Sequence, residues 1–116
     1  MIRKLITAAA LVSIFAVPAF ASDAIERSWL RPSTGVIVKF TPCGAAFCAI
    51  VQTGKFAGKS AGSMTATGGG NYKGSLTDLE KNKTYSGKGR LSGNNLNLKG
   101  CVLGGLICIG EVWKGQ

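Results

Sequence analysis

From Ser28 onward the chain alternates between apolar and polar positions with a period of two. Val36, Val38 and Phe40 fall on one face of an extended segment, and Lys39 and Thr41 fall on the other. Tyr72, Gly74 and Leu76 alternate with Asn71, Lys73, Ser75 and Thr77; Tyr85, Gly87, Gly89 and Leu91 alternate with Thr84, Ser86, Lys88 and Arg90; Leu96 and Leu98 alternate with Asn95, Asn97 and Lys99. A two-residue period places one side of a strand in a core and the other in water. The pattern predicts strands at 28–31, 35–42, 48–54, 61–67, 71–78, 83–92, 95–101 and 107–114. Turn residues separate them at Pro42-Cys43-Gly44, Gly68-Gly69-Gly70, Lys81-Asn82-Lys83 and Gly93-Asn94-Asn95. No stretch of ten or more residues in this region carries apolar positions at helical spacing. The expected fold is all-β, an antiparallel meander of about eight short strands, a number that can close into a small barrel without exposed edges.

The first residues follow a different rule. Arg3 and Lys4 precede an apolar run from Leu5 to Val17, and Ala19-Phe20-Ala21 forms an A-x-A cleavage site. This is the layout of a secretory signal, and the run is shorter than the roughly 18–20 residues that span a bilayer. Residues 1–21 are therefore expected to be removed, leaving 22–116 as a single domain with no transmembrane anchor, periplasmic or secreted. The full chain carries a net charge of +9; without Arg3 and Lys4 it keeps 12 Lys and Arg against 5 Asp and Glu, or +7. Nucleic acid is not the expected partner in that compartment. Lys59, Lys73, Lys81, Lys83, Lys88, Arg90 and Lys99 form either a solvated face or a surface for anionic lipid or polysaccharide.

Cys43, Cys48, Cys101 and Cys108 form two local pairs with four and six residues between partners. An even number of cysteines in an exported chain reads as disulfides. Of the three connectivities, Cys43 with Cys48 and Cys101 with Cys108 is favoured, because each pair flanks a Gly-containing turn. Such short loops stabilise by only roughly 2–2.5 kcal/mol each, so they pin hairpins rather than join distant parts. Zinc is not expected, since neither spacing is C-x₂-C and the chain has no histidine.

The lack of histidine also argues against catalysis, as general acid–base chemistry needs a group titrating near neutrality. No serine has a histidine to activate it, and no cofactor motif is present. Asp23 and Glu26 are expected in a mobile start, and Asp78 and Glu80 are expected to cap a turn or pair with Lys81 and Lys83. Glu111 stands apart, because alternation puts it on the face of Ile109 and Trp113. It is either interior, needing Arg27, Arg31 or Lys114 as partner, or turned outward by a bulge near Gly104, Gly105 and Gly110. The inward glycines Gly74, Gly87, Gly89 and Gly100 either permit sharp bends or leave room for a ligand. The expected interior is mainly filled, with at most a small cavity.

Several of these residues together resemble a bacterial family of small exported proteins, domain of unknown function 2147. They are Trp29, Thr41-Pro42-Cys43-Gly44 with Cys48, Asn82-Lys83-Thr84-Tyr85-Ser86-Gly87-Lys88, and Leu96 and Leu98 leading to Gly100-Cys101 and Trp113. The family is similar to the calycin group, which implies a lipocalin-like barrel with Trp29 at its floor and Lys114 as the cation covering it. Arg27 stands where that group has glycine, and Lys114 where it has arginine. No acidic, proline-containing insert separates the third and fourth strands.

These readings converge on a non-catalytic, monomeric binding module without metal or cofactor that takes a small apolar or amphipathic ligand. Phe40, Tyr72, Tyr85, Glu111 and Trp113 are its expected contacts. The alternative is an envelope interaction protein acting through its basic surface on anionic lipid or polysaccharide. Inhibition of a basic hydrolase such as lysozyme would meet charge repulsion.

Overall fold

The computed structural model describes residues 23–116. The expected leader, 1–21, lies outside the described residues. Eight strands follow in order: β1 (Ser28–Arg31), β2 (Val36–Cys43), β3 (Ala46–Val51), β4 (Ser60–Gly68), β5 (Asn71–Asp78), β6 (Lys83–Ser92), β7 (Asn95–Val102) and β8 (Ile107–Gly115). A short 3₁₀ turn, Leu103–Gly105, joins β7 to β8. Each strand pairs antiparallel with the next, and β1 pairs with β8 through Trp29 opposite Gly115 and Leu30 opposite Lys114. The sheet is thus a closed barrel.

The alternation predicted most of these boundaries, but the first hairpin is shifted. Its turn is Gly44-Ala45, with Gly44 at φ 66°, so Pro42 stays in β2 opposite Phe47 and β3 begins at Ala46 rather than 48. Residues after Val51 fold back over the rim instead of extending the strand. The Gly58 and Gln52 amides donate to Val51 O (2.7 Å) and Ile37 O (2.8 Å), and this loop carries the half-buried Phe56. Both expected disulfides are formed, with Cα separations of 5.8 Å for Cys43–Cys48 and 4.0 Å for Cys101–Cys108.

The two barrel ends differ. The β2–β3, β4–β5 and β6–β7 turns surround one end, which is filled. Trp29, Phe40, Ile25, Met64 and Leu96 are fully buried there, each stabilising by about 1.5–3 kcal/mol relative to exposure. The start of the described chain is anchored at this floor, contrary to the mobile segment expected for Asp23 and Glu26. Ile25 is buried, the Tyr72 hydroxyl donates to Asp23, and Trp29 Nε1 donates to Ile25 O at 3.0 Å.

The glycines on the inner face are occupied by their neighbours. A Cβ at Gly87 would meet Leu76 Cγ at 3.1 Å and Met64 Sδ at 3.5 Å; one at Gly89 would meet Leu98 Cδ2 at 3.2 Å. Met64 lies against this patch of β6, so the room at Gly87 and Gly89 is taken by side-chain packing rather than by a ligand, while Gly100 lines the cavity described below. Gly62 and Gly74 serve another purpose: a Cβ on either would overlap a backbone carbonyl of the neighbouring strand, Ser75 O or Ser63 O.

Because a backbone carbonyl cannot step aside as a side chain can, Gly74→Ala is expected to cost about 3 kcal/mol, against about 1 kcal/mol for Gly87→Ala. Urea unfolding midpoints would check this; equal costs would contradict the close β4–β5 approach.

Candidate functional site

Above the packed floor, the barrel interior is open. Strand β2 runs from the open end toward the floor, so Val36 and Val38 face a space that Phe40, further along the same face, lies beneath. Val51, Ala61, Leu76, Leu98 and Ile109 complete the apolar wall, with Phe56 over one side of the rim. The cavity is about 470 Å³, so the expectation of a mainly filled interior holds only for the floor half. An eight-stranded barrel is just wide enough either to be filled by side chains or to hold one small ligand, and this one divides its length between the two.

Thr34, Thr53, Lys55, Thr77, Glu80 and Lys81 also line the cavity, and one hydrogen-bonded cluster of charged groups interrupts its apolar wall. Glu111 faces inward, and among its expected partners Arg31 takes it in a bidentate pair: Nε donates to Oε1 at 2.8 Å and Nη2 to Oε2 at 2.7 Å. Trp113 Nε1 donates to the same Oε1 at 2.9 Å. Asp78 Oδ2 lies 3.9 Å from Arg31 Nη2, while its Oδ1 caps the β5–β6 turn by accepting from the Glu80 and Lys81 amides. Arg31, Glu111 and Asp78 together carry one net negative charge. The Arg31 hydrogen bonds hold the Glu111 carboxyl below the usual glutamate range against the opposing effect of burial. The Glu111 hydrogen bond raises Arg31 in turn.

Of the five ligand contacts expected from sequence, Tyr85, Glu111 and Trp113 line the cavity. Phe40 and Tyr72 do not. Both point inward, but at the floor: Phe40 packs beside Trp113 with ring centroids 6.4 Å apart, and Tyr72 packs edge-on to Phe47 at 6.4 Å. Burial and the hydrogen bond to Asp23 push the Tyr72 hydroxyl pKa up, as suits a buried neutral phenol. Lys114 is likewise not the cation over Trp29. It alternates outward from Trp113 and bonds Asn95 Oδ1 at 3.2 Å, whereas the Arg27 guanidinium lies 5.0 Å from the Trp29 ring centroid. Arg31, Phe56 and Ala61 were missed as wall residues. Arg31 had a signal, since it stands two residues from Trp29 on the same face of β1 and was a candidate partner for an interior Glu111, while Phe56 sits in a loop whose course alternation does not describe.

The family profile of uncharacterized proteins conserved in bacteria, DUF2147, matches residues 55–115. The chain belongs to this family. The DUF2147 match takes in the rim loop from Lys55, the strands β4 to β7 and all of β8. It therefore holds Tyr85, Glu111 and Trp113, while Arg31 and the β2 valines precede it. No curated protein and no solved structure matches the chain significantly. Two disulfides and a bacterial family are compatible with a place outside the cytoplasm. Among the described residues no helix is long and apolar enough to cross a membrane, and no three His, Cys, Asp or Glu side chains gather as a metal site.

The lowered Glu111 pKa has a direction in stability. The carboxylate contributes above the ordinary value of 4.5, and that contribution is lost as pH falls through the lower folded-state value. Glu111→Gln is expected to be less stable than the parent by about 1–3 kcal/mol at neutral pH, with the gap closing in acid below the ordinary carboxylate range. Urea midpoints measured across pH check this, and a gap independent of pH would exclude the ionised pair as its source.

Proposed function

We propose that this DUF2147 barrel is a non-catalytic binding module, acting as a monomer in the periplasm or after secretion. It takes one small apolar or amphipathic molecule through its open end. The cavity carries the reading, since about 470 Å³ falls within the range of roughly 300–1,000 Å³ typical of small-molecule sites. Its wall is largely aliphatic and aromatic, and its polar lining comprises the Arg31, Glu111 and Asp78 cluster, the Tyr85 hydroxyl, three threonines and the loop residues Lys55, Glu80 and Lys81. The apolar part of a ligand would lie against Val38, Val51 and Leu98. Its polar part would reach the Arg31–Glu111–Asp78 cluster. Arg31, Lys55 and Lys81 are balanced there by Asp78, Glu80 and Glu111, so the lining has no net charge and an uncharged hydroxyl head suits it better than a carboxylate.

A second reading, attachment to anionic lipid or polysaccharide through the outer wall, has one observation in its favour. Lys73, Lys88 and Lys99 stand directly opposite one another across β5, β6 and β7, all exposed, where like charges oppose each other without a facing acid. Salt separates the two readings, because attraction between exposed charges is screened and apolar burial is not.

N-phenyl-1-naphthylamine, an uncharged dye that brightens in apolar surroundings, provides the test. It is expected to bind the oxidised barrel equally well with and without about 0.5 M NaCl. Ala61→Phe, which places a ring in the cavity, is expected to weaken it at least about tenfold. Dye binding indifferent to Ala61→Phe would rule out the cavity as the site.

A further inference from the structure

All the large hydrophobic side chains that stand exposed among the described residues belong to one hairpin, β7–β8. They are Leu103 (68 % exposed), Leu106 (84 %), Ile107 (53 %), Ile109 (53 %) and Val112 (41 %). Such a concentration calls for an explanation, since scattered single exposures are ordinary and a contiguous group is not. The group is also held in place. The Cys101–Cys108 disulfide closes the base of the turn, and Leu103, Gly104 and Gly105 follow one another at φ 55°, 67° and 96°. Leucine is uncommon in that left-handed region, and here its side chain is presented to solvent.

The tip stands at the open end of the barrel beside a set of cations. Ser86 pairs with Cys101, so Lys83, at the open-end start of β6, stands on the side of the rim next to the β7–β8 turn. Lys81 belongs to the adjacent β5–β6 loop, and Lys55 and Lys59 belong to the β3–β4 loop across the same rim, which also carries Asp78 and Glu80. Of these, Lys55 is engaged by Glu80 at 3.5 Å. Ile109 belongs both to this arm and to the cavity wall, so the apolar surface runs from the tip into the interior.

We propose that the open end docks on an anionic phospholipid bilayer, with Leu103, Leu106 and Ile107 entering the interfacial region and Lys59, Lys81 and Lys83 meeting lipid phosphates. Aliphatic side chains on a narrow projection, with lysines on two other loops of the same rim, have the chemistry of an interfacial anchor. A second copy of the chain fits less well: the arm is narrow, exposes on the order of a few hundred Å², and falls below the about 800 Å² that each partner gives to a standard interface. Lysines around both tips would also repel each other. This docking concerns the rim rather than the Lys73–Lys88–Lys99 row, and it stands whether or not the cavity is filled.

Flotation with vesicles tests it, using residues 22–116 in the oxidised form and vesicles of phosphatidylcholine alone or with about 30 % phosphatidylglycerol. The parent is expected to float with the anionic vesicles and far less with the neutral ones. L103S/L106S is expected to lower the bound fraction at least about tenfold, K81Q/K83Q several-fold, and K73Q/K88Q/K99Q less than twofold. Near-UV circular dichroism of the buried Trp29 and Trp113 shows whether each variant keeps its fold, and Leu106→Ser alone gives the same direction if the double variant does not. Absence of parent binding, or loss in the wall variant with the tip variant unchanged, would overturn the proposal. A dimer in sedimentation that L103S/L106S dissolves would overturn it in favour of self-association. None of these readouts depends on the dye.

Discussion

Burial of Trp29 at one end of the barrel is the interaction on which the rest depends. Strand β1 has only four residues, yet it must pair with β2 on one side and β8 on the other to close the sheet. So short a strand supplies few ladder hydrogen bonds, and its position is fixed instead by an indole that is wholly buried, bonded through Nε1 to Ile25 O and covered by Arg27. Arg27 is itself held by Asn94 Oδ1 at 2.9 Å, in the β6–β7 turn, so the covering cation also ties the start of the barrel to its far strands. With this end sealed, the barrel has an inside that opens in one direction only.

That asymmetry divides the interior. Met64 can lie across the floor half because β6 offers Gly87 and Gly89 instead of side chains, and the large residues of β2, β7 and β8 pack around it. Nearer the open end β2, β3 and β4 turn smaller residues inward, Val36, Val38, Val51 and Ala61, and the cavity lies between these and the larger residues of the other strands. The polar cluster belongs to this wider half. A bidentate Arg31–Glu111 pair, braced by the Trp113 indole and by Asp78, is partly exposed to the cavity, so its charges are neither stranded in a dry core nor wholly screened by water.

Charge is sorted in the same way. The five acids lie at the two ends, Asp23 and Glu26 at the floor and Asp78, Glu80 and Glu111 near the open end, so the outer wall between them is cationic without internal compensation. The disulfides are sorted too. Cys43–Cys48 pins the hairpin beside the floor, while Cys101–Cys108 stiffens the arm that carries the exposed leucines. Each closes a short local loop, so neither decides which strands pair; they fix the shape of the two hairpins once the barrel has formed.

The sequence by itself determined the eight strands, their antiparallel order, both disulfide pairings and the inward set of side chains. These follow from local regularities: a two-residue period, turn residues at intervals, and cysteines close enough to have few alternatives. The place of Tyr85 and Trp113 in the cavity wall was legible for the same reason, whereas alternation left Glu111 open between the interior and an outward bulge. Tertiary structure alone decided how far along the barrel each inward residue sits, because alternation reports the face of a strand and says nothing of its height. Phe40 and Tyr72 share the faces of cavity residues yet belong to the floor, and the cation over Trp29 is Arg27 rather than Lys114 because the segment before β1 folds under the barrel. The cavity was illegible on the same ground. Its volume depends on whether side chains from opposite strands reach one another across the closed sheet, and that distance exists only once all eight strands are joined.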